Sequence, residues 1–271
     1  MRIWHLSRYF LRTFFTSITG IVLIIATLGF WFVLFNPRQQ TPEISYYILM
    51  IGIYGAAMAF FVTLSIASQA NRMQLAAWQA RIPSRTEYIT AVLLSTLIIT
   101  IVLQILLALL SLINGPTLTL GKIVEMPPVW YSMMIVTAVL ALHATDLVAS
   151  GWSRVYVFGI LAILLFGQSI SNKSMSSFAS FASEYASGQG WFDLSQTMRE
   201  YALTLANSNT NTISQLFGFV FWPFKALADG IANGYFTTAQ ALAPVIIMLY
   251  AIILFMLAAD FFAGKDLHLT E

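Results

Sequence analysis

The stretch Tyr88–Ile113, YITAVLLSTLIITIVLQILLALLSLI, runs for 26 residues without Asp, Glu, Lys, Arg or His. A helix of that length reaches about 39 Å, more than the roughly 30 Å of a bilayer's hydrocarbon core. Comparable apolar runs occupy Phe14–Phe35, Ile44–Ser68, Val129–Ser150 and Ala241–Phe262, with a shorter one at Val155–Ile170. The pattern predicts an all-α integral membrane protein, a single domain over residues 1–271 with six transmembrane helices.

Composition agrees. Of 271 residues, 59% are hydrophobic and 9% charged, against about 25% charged in soluble domains. So few charges cannot keep a soluble fold of this size wet. The net charge of +2 offers no basic stripe to release counterions from nucleic acid, and a chain without cysteine forms no disulfide, thiolate metal site or cysteine nucleophile. No small-residue cleavage site lies between residues 1–13 and the first run, so that run reads as a retained anchor. With the N-terminus inside, eight of the 13 Lys and Arg residues fall on the cytoplasmic side and five outside, which puts both termini in the cytoplasm.

Residues 1–13 divide by face. At 100° per residue, Ile3, Trp4, Leu6, Phe10, Leu11 and Phe14 share one half of a helical wheel, and Arg2, His5, Arg8 and Arg12 the other. This is either a helix lying in the membrane interface, its basic face towards anionic lipid headgroups, or a basic flank that orients the first span. Between the second and third runs, Leu75, Trp78 and Ile82 share a face of a short helix over residues 71–82, with Arg72 and Arg81 on its flanks. Pro83 ends that helix. Ser84 and Glu87 then have the spacing of a capping box for the next one. The short helix either rests on lipid or offers an apolar knob to a cytosolic partner.

Residues 171–240 form a long outer segment. Asn172–Gly190 is rich in Ser, Ala and Phe, and Trp191–Leu205 is amphipathic. Ile213–Phe224 crowds Phe221, Trp222 and Phe224 around Pro223. Extending this run to Phe236 buries Lys225 and Asp229 at several kcal/mol, so residues 213–236 read as a re-entrant helix bent near Pro223 and Gly230. An aromatic belt on an external loop is the alternative. His143 and Asp146, three apart, are either a structural cluster or a proton relay. Asp260 reads as a residue snorkelling to water. Gly52, Gly55, Ala56, Ala57 and Ala59 suit close helix packing. The G-x-x-x-x-G-K-[ST], H-E-x-x-H and G-x-S-x-G motifs are absent, so no catalytic residue, metal ligand or cofactor site is expected on this chain.

The order of these features carries a resemblance. An N-terminal interfacial helix precedes span one, and an amphipathic loop helix runs through Pro83-Ser84-Arg85-Thr86-Glu87-Tyr88 into span three. A short turn, Gly151-Trp152-Ser153-Arg154, joins spans four and five. A re-entrant outer segment precedes span six, and the tail reads Phe261-Phe262-Ala263-Gly264-Lys265-Asp266-Leu267. In this order the chain resembles the permease subunits of type 2 ABC exporters. It departs at Gln69-Ala70-Asn71-Arg72, where family members often carry an acidic cluster.

The resemblance implies a coupling helix at residues 71–82 that docks on a separate ABC ATPase subunit. Leu75 and Trp78 would be its anchors, and Arg72, Ile82, Pro83, Arg85 and Glu87 would surround the contact. Trp4, Arg8, Phe10 and Arg12 would belong to the interfacial helix, and Phe221, Trp222, Pro223 and Phe224 to the outer re-entrant segment. ATP and Mg would sit on the partner ATPase. The assembly would pair this chain with a second copy or a homologous permease in a bacterial inner membrane, and export a lipid-like, amphipathic or peptide cargo. The competing reading is a membrane scaffold or assembly factor that transports nothing and recruits a cytosolic partner.

Overall fold

The computed structural model describes residues 2–35, 43–71, 84–113, 115–148, 172–207 and 212–264. The helices are α1 (Arg2–Phe15), α2 (Ile18–Leu34), α3 (Ile44–Ala70), α4 (Arg85–Ser111), α5 (Leu120–His143), α6 (Asn172–Gly188), α7 (Phe192–Asn207), α8 (Thr212–Asn233) and α9 (Ala243–Gly264). No strand occurs among the described residues. Four helices are long and apolar enough to cross a membrane: α3, α4, α5 from Gly121, and α9 with the turn at Gln240–Leu242 before it. A fifth counts if the bent pair α1 and α2 is one span. The chain is an integral membrane protein. The expected span at 155–170 lies outside the described residues.

The chain forms two compact units, residues 1–155 with 223–271, and residues 156–222. In the first, α3, α4, α5 and α9 pack together, with α1 against α4. Contacts fix their directions. Gln104 meets Ile51 and Tyr88 meets Ala70, so α3 and α4 are antiparallel. Trp130 meets Ile48 near one end, and Ala59 packs beside Met134 and Ala138 further along, so α3 and α5 are parallel. Arg85 and Tyr88, at the start of α4, meet Ala263 and Phe262 at the end of α9, so α9 is antiparallel to α4 and parallel to α3 and α5.

Hydroxyls ride inside these apolar helices by donating back to the preceding turn, as Thr63 does to Ala59 O at 2.6 Å and Ser95 to Ala91 O at 2.6 Å. Donors at each end of the bundle then lace neighbouring helices. At one end, the Trp31 and Trp130 indoles and the Tyr47 hydroxyl donate to the carbonyls of Leu110, Ile48 and Ala108, at 2.9–3.1 Å. At the other, Tyr88 donates to Ala70 O at 2.7 Å and Arg85 to Ala263 O at 2.8 Å. Amphipathic rings belong where hydrocarbon meets water, and the last carbonyls of α3, α4 and α9 lack intrahelical donors; Ile48 O, near the start of α3, takes the Trp130 indole as a second donor.

Three expectations are corrected. The first span does not start at Phe14: α1 ends at Phe15, and α2 begins at Ile18 after a 69° bend. Ser17 makes the break. Its hydroxyl donates to Phe14 O at 2.7 Å and accepts from the Gly20 amide at 3.1 Å, and Gly20 lies against the Phe14 carbonyl where a side chain has no room. The fourth span begins at Leu120 rather than Val129 and ends at His143 rather than Ser150. Its helix continues through Pro127 and Pro128, at the loss of their bonds to Ile123 and Val124. In α8 the helix also continues through Pro223 and Gly230. The reversal comes after it, at Gly234 with φ 74°, beside the Phe236 ring folded onto Gly230.

In the second unit, α6 and α7 form a hairpin. Gly190 has φ 78°, its amide donates to Ser187 O, and the Trp191 amide donates to Ala186 O at 2.9 Å, the closure of a Schellman turn. The Ser183 hydroxyl donates to Ser195 O at 3.0 Å between the helices.

Candidate functional site

A trough of about 480 Å³ runs along the surface of the first unit. Three helices build it. On α3, Gly52, Ala56 and Ala57 form a low floor that widens to Phe60 and Phe61. The α5 wall is Val129, Met133 and Thr137, and the α8 wall is Phe224, Leu227, Ala228 and Ile231. The small α3 residues divide by role. Gly55 and Ala59 face inward to the Gln104 amide and to Met134, Gly52 touches the Trp130 indole at 3.3 Å from where its Cβ would be, and Ala57 opens into the trough.

Ile48, Val129 and Ile231 are shared with a smaller cavity of about 160 Å³, so the trough continues to the ends of the helices. There the character changes. Lys122 Nζ lies 2.8 Å from Glu125 Oε2 and 2.8 Å from Gly234 O, beside Ser45 and Phe236. The arrangement is amphipathic: an apolar trough along the helices with one charge pair at its mouth. Lys225 and Asp229 are exposed on α8, away from the buried Ala226 and Leu227, so the amphipathic helix keeps its charges out of the bundle.

The residues singled out from sequence fall elsewhere or partly here. Arg72, Leu75, Trp78, Ile82 and Pro83 lie outside the described residues, as does the tail from Lys265. Arg85 reaches the end of α9 at Ala263 O. Ser84 does cap α4, but its hydroxyl bonds to Thr86 Oγ1 at 2.6 Å and no capping box forms. Glu87 Oε2 is buried without a hydrogen-bond partner among the described residues. On α1, Leu6, Phe10 and Phe14 are buried and Arg8 and Arg12 exposed as the wheel requires. That apolar face packs in part on α4, with Ser7 Oγ donating to Ala91 O at 3.2 Å, while Trp4 is 56% exposed.

Phe224 lines the trough and Pro223 is buried beside it, whereas Phe221 and Trp222 belong to the second unit. His143 Nε2 lies 2.9 Å from Leu254 O, a structural tie between α5 and α9. Asp260 is exposed. Sequence reasoning missed the Lys122–Glu125 pair; the available signal was an i, i+3 pair of opposite charge just ahead of an apolar run.

No protein-family model, curated protein or solved structure matches the chain.

Proposed function

We propose that this chain is the transmembrane permease subunit of an ATP-driven exporter of the ABC type, moving a lipid-like, amphipathic or peptide cargo with energy from a separate ATPase subunit. The observation that carries this reading is the trough on α3, α5 and α8, apolar along its length and charged at its mouth. A membrane scaffold has no need of such a path, whereas an amphipathic cargo needs apolar wall and polar end together.

The parallel course of α5 and α9 supports the six-span reading. The chain between them has to return across the membrane an odd number of times, and residues 155–170 are the stretch expected to do so. With the N-terminus inside, the charge pair at the trough's mouth sits on the outer side, as an export route requires. Few ionisable side chains line the path, which argues against ion coupling.

The test is purification in mild detergent from the native membrane, followed by an ATPase assay on wild type, Trp78→Ala and Leu75→Ala. An associated ATPase that detaches or uncouples in the two variants is the expected result. Wild-type protein that brings no ATPase with it sinks the reading.

A further inference from the structure

We propose that the α3–α5–α8 trough binds one acyl chain of a zwitterionic glycerophospholipid, whose phosphate pairs with Lys122 and whose amine pairs with Glu125. This deepens the permease reading, on which it rests for the statement that the lipid is carried.

Depth and length come first. Lys122, Glu125, Ser45 and Gly234 lie at the ends of their helices, the level of lipid headgroups. From Ile48 to Phe61 the α3 floor then descends about 20 Å, more than the roughly 15 Å of one leaflet's hydrocarbon. A diacyl lipid has this shape: charges at the interface and a chain running straight down.

The wall chemistry separates hydrocarbon from peptide. A peptide laid in the trough brings an amide N–H and C=O at every residue, and each left unpaired in hydrocarbon costs several kcal/mol. Thr137 is the polar side chain on the wall, and its hydroxyl already donates to Met133 O at 2.8 Å. Methylene groups make no such demand.

The mouth separates headgroups. Lys122 has three donors, of which two go to Glu125 and Gly234 O, and its side chain is 26% exposed. The third can meet a phosphate oxygen. A headgroup that is purely anionic brings that phosphate against the Glu125 carboxylate, which is bonded to the same ammonium. A zwitterionic headgroup supplies the missing cation for Glu125, so both charges of the pair are matched.

The experiment uses the full-length chain purified in detergent without any ATPase. It is incubated with an equimolar mixture of phosphatidylethanolamine and phosphatidylglycerol of identical acyl chains, and retained lipid is weighed by native mass spectrometry. The expected result is one lipid per trough with the ethanolamine form favoured severalfold. Ala57→Trp and Ile53→Trp, two independent fillings of the exposed α3 floor, lose that lipid, while Leu109→Trp on the exposed face of α4 keeps it. Glu125→Gln retains lipid but loses the preference, gaining phosphatidylglycerol.

Equal retention of both headgroups overturns the proposal, and so does retention of detergent only. Lipid still held by the correctly folded, monodisperse floor variants overturns it too. Because no ATPase is present, a chain that holds the lipid yet never engages an ATPase defeats the permease reading and leaves the site standing. A chain that engages the ATPase but fails the lipid assay does the reverse.

Discussion

The Gln104 side chain lies flat against Gly55, with its amide nitrogen donating to Ile51 O at 3.1 Å. A methyl group on Gly55 would overlap that amide. One glycine on α3 thus makes room for one long polar side chain on α4, deep in the packing of the two helices. Gly55→Ala gains helix propensity of about 1 kcal/mol, but overpacking at a buried contact costs roughly 1–3 kcal/mol, and the clash wins. The expected outcome is a lower unfolding midpoint in detergent for Gly55→Ala. In a double-mutant cycle, Gln104→Ala combined with Gly55→Ala costs less than the sum of the singles, because the smaller side chain vacates the space. Strict additivity would show that the two residues do not share it.

Tyr88 joins four helices. Its hydroxyl donates to Ala70 O at 2.7 Å, its ring stacks on Phe262 at 6.0 Å and meets Phe10 edge-on at 6.0 Å. Tyr88→Phe keeps the ring contacts and loses one hydrogen bond, about 0.5–1.5 kcal/mol. Tyr88→Ala opens a cavity under α1 and α9 at roughly 3–5 kcal/mol. Hydrogen exchange over residues 2–15 is the measurement, with faster exchange expected in the alanine variant and near-native exchange in the phenylalanine one.

The faces of α1 are unequal in the same way. Ser7 is fully buried against α4, whereas Arg8 and Arg12 are exposed. Ser7→Leu therefore overpacks a tight crossing and lowers stability by about 1–3 kcal/mol. Arg8→Gln and Arg12→Gln stay within about 0.5 kcal/mol of wild type. Thermal unfolding of the three variants in one detergent decides between this packing and a helix that merely floats on lipid, for which Ser7→Leu would be harmless.

Gly190 tests the independence of the second unit. Its φ of 78° is left-handed, so Gly190→Ala costs about 1–2 kcal/mol at the Schellman turn. The hairpin of α6 and α7 is expected to become more sensitive to limited proteolysis at Arg199. The unfolding midpoint of the α3–α4–α5–α9 bundle should not move. A shift in both would mean that the two units melt together.

Much of this architecture is legible in the sequence because its cause is local. An apolar run such as Ile44–Ser68 has to be helical in hydrocarbon, where backbone groups find partners within their own segment. The wheel of α1 gives the right buried residues, Leu6, Phe10 and Phe14, for the same reason. What covers them is not local. Hydrocarbon and the apolar side of α4 are equally good partners for Phe10, and only the positions of Ser7 and Ala91 show that a helix lies there.

Breaks and caps depart from the sequence pattern where a side chain has two uses. Ser84 had the spacing to pair with the α4 amides, yet its hydroxyl bonds to Thr86. Ser17, inside a run that reads as continuous, caps a new helix and turns the chain. Pro127 and Pro128 do not end α5: their two missing donors free only the Ile123 and Val124 carbonyls, and the rest of the helix keeps its ladder.

The sequence by itself determined that the chain is helical and membrane-embedded, since length and hydropathy act on each segment alone. Tertiary structure decided which faces meet. Lys122 and Gly234 are 112 residues apart, and nothing in either neighbourhood specifies the other. Their contact follows from α5 and α8 lying on the same side of α3. The trough exists only because Gly52, Ala56 and Ala57 keep that side low while both neighbours stand above it.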